Sequence, residues 1–185
     1  MFHYDEIVPK QQPETTAITS GRDDSGALSP TIWTSTTWQS SGLEETSKAA
    51  VSVHQTGNYA RYSNPSVREF ERAIAELEGA EDALAFGSGM GAITPTLLQL
   101  CNSGDHIVSS RTIYGGTYAF LKNFTPKFGI KTSFVDITKL DIVEAAITDK
   151  TKVLYCETVS NPLLEVADIV SLAKIAKKHN LKLVV

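Results

Sequence analysis

The chain has 185 residues, 42% hydrophobic and 21% charged, with a formal net charge of -4 at pH 7. That length and apolar share suit one substantial buried core. The acidic balance argues against nucleic acid or an anionic membrane as the main partner. The start, Met1-Phe2-His3-Tyr4-Asp5-Glu6, lacks a basic region followed by an apolar run, and no stretch is long enough to span a bilayer, so a cytoplasmic location is expected. Cys101 and Cys156 are far apart and without metal or redox spacing, which reads as buried free thiols in a reducing compartment.

In chain order, the first forty or so residues are rich in Thr, Ser, Pro, Gly and Asp, as in Gly21-Arg22-Asp23-Asp24-Ser25-Gly26, and read as an arm. The arm carries Ile32, Trp33 and Trp38, which a free tail rarely has, so it is expected to pack against something, a partner subunit being the surface in view. A short helix is expected over residues 42–53, with a loop containing Gly57 after it. A well-marked helix follows: Asn64 caps it, Pro65 takes its first position, Val67, Phe70, Ile74 and Leu77 share one face, and Gly79 ends it.

From there strands and helices alternate. Strands are predicted over 83–86, 106–109, 132–135, 153–156 and from 181 onward, and helices over 90–100, 114–128, 140–147 and 169–179. This order implies right-handed crossovers onto a mostly parallel twisted sheet with flanking helices, an α/β fold. Lys177-Lys178-His179 reads as a solvated helix end that complements the dipole. The chain closes on Leu181-Lys182-Leu183-Val184-Val185 with no turn residue or cap, which reads as a cut inside a strand.

In such sheets ligands bind beyond the carboxyl ends of strands, and three segments are expected to begin there. Gly87-Ser88-Gly89-Met90-Gly91 joins a predicted strand to a helix; glycines let an anion approach the backbone N–H groups, and the helix dipole favours its charge. A tight turn that needs only small residues is the plain alternative. Gly87, Gly89 and Ala92 also fit the dinucleotide fingerprint, but the next strand ends in Ser109-Ser110 rather than in an acid, which disfavours a nicotinamide site. Tyr114 precedes Gly115-Gly116 at a helix start, where its ring could lie on a planar heteroaromatic ligand and its hydroxyl take part in proton transfer; an ordinary packed tyrosine is the alternative. Glu157 and Asn161-Pro162 follow another strand, and an Asn-Pro pair commonly just makes a loop. Tyr59 and Arg61 lie before the Asn64-capped helix; their donors can grip phosphate, or simply line a solvated loop.

Taken together, Tyr59-Ala60-Arg61-Tyr62-Ser63-Asn64-Pro65, the turn Phe86 to Gly91, Tyr114-Gly115-Gly116-Thr117 and Glu157 with Asn161-Pro162 resemble, in order and spacing, the trans-sulfuration family of pyridoxal-phosphate (PLP) enzymes. That family contains cystathionine γ-synthase, cystathionine γ-lyase, methionine γ-lyase and O-acetylhomoserine sulfhydrylase, and the resemblance runs from about residue 15 to the end. It implies an aminotransferase-like (type I) large domain with PLP as cofactor and an amino acid as its small-molecule substrate. Residues 1–60 would be an arm and inter-subunit loop, and residues 61–185 an incomplete cofactor domain. By the same resemblance Ser88, Gly89 and Met90 bind the cofactor, Tyr114 stacks on its ring and assists catalysis, and Asn161 lies near its phenolic oxygen. Tyr59 and Arg61 reach the phosphate of a neighbouring subunit, so the site needs a dimer, within a homotetramer by the family's habit. Ser66 stands where the family usually has threonine, a mild change that should leave the helix start intact.

The resemblance places the aspartate that pairs with the pyridine nitrogen just after residue 185, and the lysine that holds PLP further on. The 185 residues alone are therefore expected to be inactive. Gly116 stands where methionine γ-lyases typically have cysteine, and Met90 is more like the cystathionine enzymes than the many sulfhydrylases with glutamine there. The expected chemistry is γ-elimination or γ-replacement of the cystathionine γ-synthase or γ-lyase type, with sulfhydrylase or methionine γ-lyase activity as the alternative. A non-catalytic remnant, or a module that captures phosphorylated ligands, is the reading from another class. The module leaves Tyr59, Arg61, Tyr114 and Asn161 together without explanation, and the remnant would expose a long unpaired sheet edge.

Overall fold

The computed structural model describes residues 12–20, 26–51 and 59–185. The expectations for residues 1–6, for Arg22 to Ser25, for Gly57 and for the last residues of the second helix lie outside these. The chain divides into two compact units, 1–85 and 86–185.

The second unit holds a four-stranded parallel sheet in the order β2-β1-β3-β4, with β1 His106–Ser110, β2 Lys131–Val135, β3 Thr151–Tyr155 and β4 Lys182–Val184. Central β1 is buried along its whole length, as expected of a strand covered on both faces. Alternation along β1 and β3 divides the core. Ile107, Val153 and Tyr155 point into one cluster with Leu97, Cys101, Ile113, Phe120 and Leu121, while Val108, Leu154 and Cys156 point into another with Val143, Leu172 and Ala176. The first cluster is covered by α4 (Gly89–Leu100) and α5 (Gly115–Ala119), the second by α6 (Leu140–Ala145) and α7 (Ile169–Lys178).

The predicted helix over 114–128 is one continuous rod of mixed winding: α5 passes into a π turn at Phe120–Phe124 and a 3₁₀ turn at Thr125–Phe128. Pro126 explains the change, because it lacks the N–H an α-helical ladder needs. The Thr125 hydroxyl donates to the carbonyl of Leu121 at 2.7 Å, and Gly129, at φ 77°, ends the run. The basic cluster is also more than a solvated helix end: Lys178 Nζ and His179 Nε2 each lie 2.6 Å from Glu144 Oε1 on α6. These bonds, His179 first, hold the Glu144 carboxyl below its ordinary range.

In the first unit, α1 (Pro13–Thr19), which the sequence does not announce, lies against α3 (Pro65–Glu78), and α2 spans Leu43–Val51. Asn64 Oδ1 caps α3 by accepting from the N–H of Ser66 at 2.9 Å, and Gly79, at φ 62°, closes it in the left-handed conformation. Ser66 leaves the helix start intact and adds to it: its hydroxyl accepts from Trp33 N–H and donates to the carbonyl of Thr31. The expected apolar face of α3 is there, but exposed: Val67, Phe70, Ile74 and Leu77 face outward, while Glu69, Glu71 and Ala75 are buried.

The predicted strand over 83–86 is not formed. Side chains take its backbone groups: Ala83 N–H donates to Asp82 Oδ1, Ala85 N–H to Glu71 Oε1, and Ala83 carbonyl accepts from Arg68. An apolar run becomes a strand only where a ladder partner meets those groups, and here an Arg68–Glu71–Asp82 ion cluster does so instead.

At the amino ends of the strands, buried His106 ties three of them together, Nδ1 lying 2.8 Å from Thr151 Oγ1 on β3 and Nε2 2.9 Å from Ser133 Oγ on β2. Burial, aided by nearby Lys131, lowers its pKa. The unfolded chain then binds a proton more readily than the folded one, so this contribution to stability is lost as pH falls through the ordinary histidine range. Resistance to urea should therefore fall between pH 7.5 and 5.5 by more in the parent than in His106→Gln. Equal pH dependence of the two would contradict this account.

Candidate active site

The direction of the crossovers reverses between β1 and β3. From β1 the chain turns through α5, on the first face, to β2; from β3 it turns through α7, on the second face, to β4. The crevice beyond the carboxyl ends of these two strands is the topological switch point where ligands of such sheets bind. Tyr114 follows β1, and Glu157 and Asn161 follow β3, as expected. The glycine turn does not follow a strand, since 83–86 is irregular, and it reaches the same region by another route. Met90 Sδ lies 3.7 Å from the Oγ1 of Thr117, a fully buried residue in the first turn of α5.

Ser88 caps α4, its Oγ accepting from Gly91 N–H at 3.0 Å. The N–H groups of Gly89 and Met90, first in the helix, have no acceptor within it. Space is open around them: a Cβ built on Gly87 or on Gly89 would meet nothing within 4 Å. This arrangement of unpaired donors at the positive end of a twelve-residue helix fits an anionic phosphate group. At Met90 only the backbone faces this space, because its side chain packs toward the core.

Tyr114 stands at the start of α5 with its ring exposed over Gly116. A Cβ on Gly116 would lie 2.5 Å from Tyr114 Cε1, so the missing side chain makes this ring position possible. The backbone N–H of Tyr114 donates to Glu157 Oε1 at 2.8 Å, linking the loops after β1 and β3. Asn161 is exposed at the tip of a small hairpin whose base is the Val159–Val166 bridge and whose Ser160 hydroxyl accepts from Glu165 N–H.

Within the first unit, Tyr59 forms a bridge with Thr37, and the Arg61 guanidinium sits 4.8 Å from the centre of the Tyr59 ring. Sequence reasoning missed Thr117 and Tyr155 and left Glu157 without a role. Tyr155 is buried under the same turn, and burial raises its hydroxyl pKa while hydrogen bonding with Thr117 works against that rise. Strand alternation with Val153 could have placed Tyr155, whereas nothing in the residues around Thr117 signals its burial. Both cysteines are buried free thiols, pushed up by burial to about 11, and so are poor nucleophiles.

A parallel sheet with a phosphate-type helix start and an exposed tyrosine at its switch point defines an α/β protein built for a phosphorylated, planar ligand. Residues 14–185 match the family of Cys/Met metabolism PLP-dependent enzymes, and the chain belongs to that family, whose cofactor is pyridoxal phosphate. It is 42% identical to the L-methionine γ-lyase of Pseudomonas putida over 89% of this chain and 41% of that protein. It is 37% identical to a cystathionine γ-lyase of Bacillus subtilis over 90% of this chain and 41% of that one. To an O-succinylhomoserine sulfhydrylase of Pseudomonas aeruginosa it is 46% identical over 64% of this chain and 29% of that one. A solved structure described as an O-acetylhomoserine (thiol)-lyase of Campylobacter jejuni, carrying a pyridoxyl-lysine adduct, superposes with a TM-score of 0.86 at 31% identity, over 94% of this chain and 43% of that one. The chain thus spans less than half the length of these relatives.

Gly116→Ala should turn the Tyr114 ring away from its present position at little cost in stability, because an exposed ring can rotate without leaving a buried cavity. Ring resonances of labelled tyrosine would report this, and an unshifted Tyr114 signal would contradict it.

Proposed function

We propose that the complete protein carries out γ-elimination or γ-replacement on homoserine-derived or sulfur amino acids, of the cystathionine γ-synthase or γ-lyase type. The observation that carries this reading is the Met90–Thr117 contact, which brings the first turn of α4, with its open backbone donors, against the first turn of α5, where Gly116 seats the Tyr114 ring. The N–H groups of Gly89 and Met90, with the Ser88 hydroxyl, would hold the cofactor's phosphate. Tyr114 would lie against its ring, with its hydroxyl placed to hold or pass a proton, and Asn161 would serve its phenolic oxygen. When bound, PLP supplies an electron sink for reactions at the carbons of an amino acid.

Arg61 and Tyr59 would complete the phosphate site of a neighbouring subunit, residues 1–60 acting as the arm that reaches it, and the assembly would be a cytoplasmic homotetramer. The cation stacked on Tyr59 keeps its donors exposed, which supports that use. Among the described residues no helix is long and apolar enough to cross a membrane. Methionine γ-lyase or sulfhydrylase activity is the second reading, supported by the relatives of those names. Against the first of these stands Gly116, where that enzyme type typically has cysteine, since any side chain there requires another pose of Tyr114.

In the assembled complete protein, Arg61→Ala should weaken PLP binding about ten-fold, the scale of a lost hydrogen bond to a charged group. Titration of the cofactor's visible absorption measures it, and unchanged affinity would sink the role given to this loop. The 185-residue stretch by itself should show no lyase turnover, on our reading that none of its lysines holds PLP. Ammonia and oxoacid release from a γ-substituted amino acid would refute that.

A further inference from the structure

We propose that Glu157 is a positioning residue for Tyr114, acting through the backbone at the switch point. The inference rests on the PLP reading above. Glu157 Oε1 accepts from Tyr114 N–H at 2.8 Å across 43 positions of sequence, and the Tyr114 carbonyl accepts from Tyr118 N–H at 3.0 Å. Both backbone groups of Tyr114 are thus held, the second by its own helix and the first by the loop after β3. The residues just before each partner are anchored: Ile113 is buried in the first core cluster and Cys156 in the second. The bond therefore joins two fixed points, one on each face of the sheet, and sets where the Cα of Tyr114 stands over the crevice.

Gly116 provides the second constraint by leaving the ring its seat. Backbone position from Glu157 and ring seat from Gly116 together define the plane that the ring offers to a flat ligand. A carboxylate suits the first role, because it accepts strongly from the N–H of a residue at a helix start and needs no proton to do so. A simple stabilising contact would hold the α5 start without regard to the ring, and this difference can be measured.

The test is a double-mutant cycle on the complete, assembled protein, read as the dissociation constant for PLP, with the thermal midpoint recorded for each variant. Glu157→Ala should weaken PLP binding about ten-fold. Glu157→Gln, which keeps an acceptor oxygen, should restore most of the affinity. In the Tyr114→Ala background Glu157→Ala should add no more than about a two-fold loss, since the ring it positions is gone. An equal loss in both backgrounds, or no loss in either, would overturn the inference while leaving the PLP reading intact. A parent protein that does not bind PLP would overturn that reading and this inference with it.

Discussion

The pairing of β1 with β3 is the constraint on which the rest of the second unit depends. These strands are adjacent in space but separated in sequence by β2, so the crossover leaving one must run opposite to the crossover leaving the other. Opposite crossovers of one hand place their helices on opposite faces, and the core splits into two clusters that the sheet keeps apart. The carboxyl ends of the pair are then left without a helix directly above them. Polar side chains and free amides can collect in that gap without having to be buried, and Tyr114 and Glu157 do so from either side.

At the amino ends of the same strands the polar groups serve a different purpose. His106, Thr151 and Ser133 satisfy one another beneath the sheet, while the Thr151 hydroxyl also accepts from Thr148 N–H. The amino ends of the strands are thus closed by internal bonding and the carboxyl ends left open, and this asymmetry is what gives a parallel sheet a chemical end and a structural end.

Much of the second unit was legible because its signals are periodic. Ile107-Val108 and Val153-Leu154 lie in short apolar runs bounded by turns, and such runs become strands wherever both faces are covered. The run Ala83 to Phe86 carries the same signal but misleads, because Arg68, Glu71 and Asp82 hold its backbone in place of a ladder. Periodicity also found the apolar face of α3, yet cannot say whether that face is covered. The site was legible where chemistry sits in a short motif, as at Ser88 to Met90 and at Tyr114 with its glycines. It was illegible where the partner is a backbone group: nothing in the residues around position 114 announces that a carboxylate 43 residues later will accept from it. Thr117 escaped for a related reason, its contacts being to a sulfur and a phenol brought close only by packing.

The Thr31 to Thr37 stretch is stitched to the chain on both sides of the loop that bears Tyr59 and Arg61. Thr36 carbonyl accepts from Ala60 N–H, Thr37 bridges Tyr59, and the Trp33 backbone is bonded through both its polar groups to Asn64 and Ser66. A loop so bounded has surrendered most of its conformational freedom before it meets anything. Whatever surface it engages gains contacts without the ordering penalty that a slack segment would incur, and the two residues at its tip arrive as a preformed pair rather than as wandering side chains.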